Sequence, residues 1–204
     1  MTENHRTLAV DCASQRIRRA AVQLFRERGY HGTPVRALAE RLRMEAGSLY
    51  YHVRSKQQIL ADVLEGTLDD LIEGLERAVA RPGGAREKLA AAVRFHVLFH
   101  TRRQEEAFVS GSELRSLSTA HRRAITARRD RYEKVFRDLL QRGVRAGAFA
   151  VPNVKLAAMA ILTMGTGVAS WFSERGRLGP EAVAEHYVHM VLKMVAPEGE
   201  EQRP

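Results

Sequence analysis

Thirty residues, His31 to Leu60, constrain this chain more than any other stretch: HGTPVRALAERLRMEAGSLYYHVRSKQQIL prescribes two short helices, a tight turn and the start of a third helix. Thr33 offers a hydroxyl to cap orphan amides, and Pro34 sits at a first helical position, where its missing N–H costs nothing. Val35, Leu38, Ala39 and Leu42 then recur at the i, i+3, i+4, i+7 spacing of a buried face, with Arg36 and Arg41 left outside. After a turn at Arg43 and Met44, the segment from Glu45 to His52 turns only Leu49 and Met44 inward and presents Ala46, Gly47, Ser48, Tyr50, Tyr51 and His52 elsewhere. Such a helix is poor in core residues and suited to contact. Small residues at its start allow close approach to a DNA major groove, and its hydroxyls and imidazole can donate to phosphates or base edges. Ser55 caps the next helix, with Lys56 near its start.

This stretch resembles the TetR family of transcriptional repressors. The pattern T-x-V-R-x-(I/L)-A is present as Thr33, Val35, Arg36, Leu38 and Ala39, and G-(S/T)-L-Y-x-H-(F/V)-x-(S/N)-K as Gly47, Ser48, Leu49, Tyr50, His52, Val53, Ser55 and Lys56. The resemblance implies that Thr33, Ser48, Tyr50, His52 and Lys56 touch the DNA backbone, that Glu45, Ala46, Gly47 and Tyr51 lie nearest the bases, and that Arg36 belongs to the same surface. Two residues depart from the pattern. Arg43 occupies a turn position usually given to glycine, at a cost of about 1 kcal/mol if the backbone there is left-handed. Val53 replaces the usual phenylalanine. Glu45 either accepts from a cytosine amino group or caps its own helix, and the cap is the preferred reading.

Charge follows the same division. The net charge is +9, and residues 1–54 hold 10 Arg against 5 acids, so basic surplus concentrates where DNA is expected. Counterion release then makes binding salt-sensitive. With 45% hydrophobic residues the chain has material for a real core. The one cysteine, Cys12, excludes an internal disulfide and fits a reducing cytosol. No uninterrupted apolar run reaches the ~18 residues of a membrane span, and no signal-peptide pattern opens the chain, so a cytoplasmic location without membrane contact is expected.

Every strong period is helical, which predicts an all-α fold: a helix-turn-helix domain over residues 1–54, a larger helical ligand-binding and dimerisation domain over 55–196, and a disordered tail over 197–204. Residues 1–12 read as a loose arm. A first helix from Ser14 buries Ile17, Ala20, Ala21, Leu24 and Phe25 and ends at Gly29. The helix after Ser55 keeps an apolar stripe from Leu60 to Val79, up to the break at Pro82, Gly83 and Gly84, and so serves both domains as a lever. Further helices are expected over Ala85 to Phe99, Gln104 to Ser110, Ser118 to Ala146, Asn153 to Phe172 and Pro180 to Val195.

Polar residues on buried faces of the second domain mark a candidate effector site. His96 and His100 share a face with Leu89 and Val93, and Arg128 falls on the stripe of Ile125, Tyr132, Val135 and Leu139, where an unpaired guanidinium is costly. Its partner is Glu113 or another carboxylate, or else an anionic ligand. The two histidines stand i, i+4 as metal ligands do, but no third ligand accompanies them, and satisfied core histidines are the simpler reading. Residues Trp171, Phe172 and Gly176 to Glu181 resemble the closing helices of a TetR subgroup that answers to acyl-CoA thioesters. That resemblance implies Arg128 as a contact for CoA phosphates and Phe95, Phe99, Phe108 and Trp171 as an acyl wall, beside His96, His100 and Tyr132. The helix from Asn153 to Phe172 is apolar on nearly every side and needs covering, and the family resemblance implies that a second copy covers it, so that a homodimer reads a palindromic operator. No nucleophile, P-loop, zinc quartet or paired-carboxylate motif is present, so neither an enzyme nor a cofactor or metal is expected. A ligand-independent architectural DNA protein, or a metal- or drug-responsive repressor of the same fold, is the alternative.

Overall fold

The computed structural model describes the backbone of residues 2–197 and the side chains from Ala13 onward. Among the described residues there are nine α-helices and one 3-10 turn, and no strand. They are α1 (Thr2–Arg28), α2 (Val35–Leu42), α3 (Ala46–His52), α4 (Lys56–Val79), α5 (Ala85–Arg102), α6 (Gln104–Ser112), the 3-10 turn Glu113–Ser116, α7 (Thr119–Arg145), α8 (Val154–Trp171) and α9 (Pro180–Met194).

The chain forms two compact units. The first gathers the described residues up to Thr67 with Glu105–Thr126, and the second gathers Leu68–Gln104 with the described residues from Ala127 onward. This division departs from a boundary at residue 54, because α4 and α7 each run through both units, and because α6 and the 3-10 turn join the first. Polar side chains explain the joining. Gln57 at the start of α4 donates to Tyr30 Oη (2.8 Å) and to the carbonyl of Ser116 (2.7 Å), and accepts from the Ser118 amide (2.9 Å). Glu113 accepts from the Tyr30 amide at 3.2 Å and from the Ser116 hydroxyl at 2.8 Å.

In the first unit, Ile17, Ala21, Leu24, Phe25, Leu38, Leu49, Val53, Ile59, Leu60 and Val63 are all buried and supply the core. Helix α1 begins at Thr2 rather than at Ser14, so the arm expected over residues 1–12 is helical from residue 2. The sequence has no Gly or Pro between residues 2 and 28 to stop it, and Gly29, with φ +69°, ends it in the left-handed conformation that spares only glycine a penalty. Thr33 corrects a second expectation. Pro34 itself is the residue capping α2, with no side-chain cap bond, and the Thr33 hydroxyl instead donates backwards to the carbonyls of Gly29 (2.8 Å) and Leu24 (3.2 Å). It closes the end of α1 instead of opening α2. Ser55 does cap α4, accepting from the Gln58 amide at 3.1 Å.

In the second unit α5 packs along α9 and α8. Its buried face carries Leu89, Ala92, Val93, His96, Val97, Phe99, His100 and Thr101, while Arg94 and Arg102 on its outer face pair with Glu185 and Glu181 of α9. Asn153 caps α8 by accepting from the Leu156 amide at 3.0 Å. Only Ala158, Ile161, Gly165 and Val168 of α8 are buried; Leu156, Met159, Met164 and Trp171 lie exposed, as do Met190 and Met194 of α9. Helix α8 also corrects the membrane reading. Over 18 residues its mean hydropathy is 1.3, enough by length and composition for a span, because Lys155 is its one charged residue. At 1.5 Å per residue it is about 27 Å long, just short of a ~30 Å hydrocarbon core. Of the tail expected over 197–204, all but Pro197 lies outside the described residues.

The α2–α3 turn stores strain at one residue. Arg43 has φ 54° and ψ 46°, and its amide bonds the Glu40 carbonyl at 3.0 Å while the Met44 amide bonds Ala39 at 3.0 Å, the pairing of a Schellman cap. Arg43→Gly therefore raises stability by about 1 kcal/mol. Urea unfolding in the absence of DNA checks this, and an unchanged or lowered midpoint contradicts it.

Candidate functional site

Helix α3 is held by a single side chain. Leu49 is wholly buried, whereas Glu45, Ala46, Gly47, Ser48, Tyr50, Tyr51 and His52 are all exposed, Tyr51 at 80%. No atom lies within 4 Å of the place a Cβ would take on Gly47, so the first turn presents bare backbone. Backbone groups finish both ends: Glu45 accepts the Leu49 amide at 3.1 Å and Val53 donates to Leu49 at 3.0 Å. Glu45 occupies the cap position, but its side chain makes no cap bond, contrary to the preferred reading. The carboxylate is exposed instead. Tyr51 meets His52 edge-on, ring centroids 5.5 Å apart.

The flanking residues divide. Arg36 is exposed on α2. Lys56 is half-buried, its Nζ 4.3 Å from the Tyr30 ring centroid, and burial lowers its pKa while Glu113 partly restores it. Thr33 is 2% exposed and its hydroxyl is committed to α1, so it has no surface to offer a phosphate. Its position in the motif reflects the joint between α1 and α2. Arg41 Nη2 donates to both carboxylate oxygens of Glu27, at 2.9 and 3.2 Å, and its Nη1 donates to Gln23 Oε1 at 3.2 Å.

In the second unit, the expected polar residues of α5 and α7 meet in one buried cluster. His96 Nε2 bonds the Leu162 carbonyl (3.2 Å) and so carries the proton; Nδ1 therefore accepts from Tyr132 Oη at 2.9 Å. His100 donates from Nδ1 to the His96 carbonyl at 2.8 Å and lies against His96, ring centroids 4.3 Å apart. Burial, then the neighbouring His100, drives the His96 pKa well below its ordinary value; burial also lowers that of His100 and raises that of Tyr132. Gly165 of α8 makes this cluster possible, since a Cβ there would stand 2.3 Å from His96 Cδ2.

Arg128 is half-buried and its Nε meets Asp69 Oδ1 at 2.9 Å. That is a protein carboxylate, but not Glu113, which belongs to the first unit. Farther along α7, Arg131 meets Glu76 of α4 at 2.7 Å. Phe99 is buried 6.0 Å from Phe95, measured between ring centroids. Phe108 and Trp171 do not join them. Phe108 is half exposed in the first unit, with the Arg26 guanidinium 5.4 Å from its ring centroid, and Trp171 is 56% exposed at the end of α8. The second resemblance offered no periodicity to locate either ring. Sequence reading missed Gln57 and Asp69 altogether: a glutamine in a first turn and an aspartate on an outer face carry no local sign of a distant partner.

Residues 17–63 match the family described as bacterial regulatory proteins, tetR family, and residues 82–195 match the tetracyclin repressor-like C-terminal domain. The HTH-type transcriptional repressor KstR2 of Rhodococcus jostii is 27% identical over 178 residues, covering 86% of this chain and 87% of that protein. The fatty acid metabolism regulator protein of Bacillus subtilis is 27% identical over 154 residues, covering 74% and 79%. Among solved structures, a bacterial regulatory protein in the tetR family from Rhodococcus RHA1 superposes with a TM-score of 0.85 at 32% identity, covering 90% of this chain and 97% of that one. AibR in complex with isovaleryl coenzyme A and operator DNA superposes with a TM-score of 0.80 at 27% identity, covering 87% and 96%.

Two outcomes follow from this geometry. Leu49→Ala costs about 2–5 kcal/mol in a urea melt, as truncation of a buried leucine does, whereas Tyr51→Ala stays within about 0.5 kcal/mol of wild type yet loses sequence discrimination in DNA binding; equal effects from the two changes contradict the assigned roles. Because His96 and His100 are held neutral, the unfolded chain binds more protons than the folded one below about pH 6.5. Their contribution is complete above that value and is lost as pH falls. The urea midpoint accordingly drops between pH 7.5 and 5.5, at up to about 1.4 kcal/mol per pH unit for each histidine, and the drop shrinks in His96→Gln. A flat profile overturns the neutral assignment.

Proposed function

Since the chain belongs to the TetR family of bacterial regulatory proteins, we propose that it is a cytoplasmic, effector-responsive transcriptional repressor, not an enzyme, which binds a palindromic operator as a homodimer and is released by an acyl-CoA thioester. The observation that carries the DNA-binding half is α3, exposed along its length and anchored by Leu49 alone. Glu45, Ala46, Gly47 and Tyr51 face base edges, while Ser48, Tyr50, His52, Lys56 and Arg36 hold phosphates. Two copies of α3 then occupy half-sites about 34–36 Å apart, or a multiple of that distance. Apolar residues left uncovered on α8 and α9, among them Leu156, Met159, Met190 and Met194, support a twofold interface there.

The effector half rests on the relatives and on the second unit. Three features favour an acyl-CoA thioester: likeness to AibR, whose solved complex holds isovaleryl coenzyme A, likeness to a fatty acid metabolism regulator, and a half-buried guanidinium at Arg128. Arg128 is bound to Asp69 through a partly exposed pair, so an incoming phosphate can replace the carboxylate without stranding a buried charge. Phe95 and Phe99 with the His96, His100 and Tyr132 cluster supply an apolar surface for the acyl group. Helix α4 carries Asp69 in one unit and Gln57 in the other, so a shift of α4 on effector binding moves the base of α3. To act as a switch the effector must favour the released form by about 3–5 kcal/mol.

Melting temperature and operator affinity, measured across acyl-CoA thioesters from short branched to steroidal, test this reading. At least one thioester raises the melting temperature and releases operator DNA, while free CoA and the free acid at the same concentration do neither, and Arg128→Gln weakens the response. If no thioester does both, the effector assignment fails and a ligand-independent DNA-binding protein is the better description.

A further inference from the structure

Beside the reading helix lies a second basic surface that the family pattern does not include. Arg16, Arg19 and Gln23 of α1 and Arg41 and Arg43 at the end of α2 line a shallow depression of about 310 Å³. Arg16 and Arg19 are three residues apart and so share a face of α1. Of the four guanidiniums only Arg41 has a carboxylate partner, Glu27 at 2.9 Å; among the described residues none pairs with Arg16, Arg19 or Arg43. All four arginines are exposed. Three uncompensated charges converging on one depression repel one another, and an anion with several oxygens relieves that repulsion best, because guanidinium forks match phosphate geometry.

Position identifies the anion. Arg43 stands two residues before Glu45, the capping residue of α3, so the depression opens where α3 begins. A second depression, of about 290 Å³, joins Ser14, Gln15 and Arg18 of the same stretch of α1 to His52 and Val53 at the other end of α3. The middle of α1, residues 14–23, thus lines depressions at both ends of the reading helix. A duplex seated on α3 must pass its sugar-phosphate backbone over one of these ends.

We propose that the groove of Arg16, Arg19 and Arg43 is a phosphodiester clamp that grips the backbone of the DNA held by α3 and sets affinity without reading sequence. This rests on the DNA-binding assignment and adds to it a contact surface on α1. Phosphate contacts position a protein and carry no base information, so the clamp acts on operator and random duplex alike.

The test measures binding of the full-length protein by fluorescence anisotropy over a salt series. One duplex is recovered by selecting source-genome fragments on the wild-type protein, and the other is a scrambled sequence of the same length. In Arg16→Gln/Arg19→Gln the slope of log affinity against log salt becomes shallower by roughly 3.6, two contacts' worth in each protomer of the homodimer. Affinity falls on the order of tenfold for both duplexes, and their ratio is unchanged. Arg16→Lys/Arg19→Lys keeps most of the slope, and thermal unfolding of both variants matches wild type. A slope unchanged in the Gln variant overturns the clamp while leaving the reading helix in place, as does a loss confined to the selected duplex. If the wild-type protein prefers neither duplex, the DNA-binding assignment fails first and takes the clamp with it. Should the double variant unfold, Arg43→Gln alone gives the same readout, with a slope change of roughly 1.8, one contact in each protomer.

Discussion

Burial of Leu49 is the interaction on which the rest of the structure depends. A helix of seven residues has too few internal hydrogen bonds to persist by itself, so its geometry is imposed from outside. One leucine in the core of α1, α2 and the first turns of α4, closed off by Val53, supplies that constraint and leaves every other side chain of the helix to solvent. The sequence gives up core contacts on three sides to obtain a rigid, fully displayed surface. The left-handed Arg43 sets the turn from which α3 leaves α2, and Thr33, buried against the end of α1, sets the joint between α1 and α2.

The same economy governs the link between the units. Helix α6 and the 3-10 turn follow α5 directly in the chain, yet they dock on the DNA-binding unit through Gln57, Tyr30 and Glu113. Helices α4 and α7 run through both units without a break. The chain therefore passes between the units three times, within α4, at the start of α6 and within α7, and the segment that joins the first unit buries Val109 and Leu117 as well as making these hydrogen bonds.

Helices were legible where the sequence punctuates them. Pro34, Ser55, the Pro82-Gly83-Gly84 break, Asn153 and Pro180 mark helix boundaries within a residue or two of where they fall, because capping and φ restriction are local effects. The exposed face of α3 was legible for a related reason, since Leu49 is the one large aliphatic residue among the eight from Glu45 to His52 and leaves no choice of inward side. What could not be read depends on partners far along the chain. The Thr33 hydroxyl had a plausible local role and took a distant one; Arg128 needed a carboxylate but nothing near it in sequence pointed to Asp69; and Phe108 sits in a segment whose period is too short to show that it joins the first unit. The start of α1 was missed because residues 1–12 carry no apolar periodicity to announce a helix.

Chemical protection of DNA tests the central claim most directly. On a genomic fragment selected by the wild-type protein, guanine N7 atoms in the major groove are expected to be shielded from methylation in two patches an integral number of helical turns apart, and the Tyr51→Ala protein is expected to leave both patches open. Shielding confined to minor-groove adenines, or a single patch that persists when Tyr51 is removed, would contradict a pair of α3 helices seated in successive major grooves.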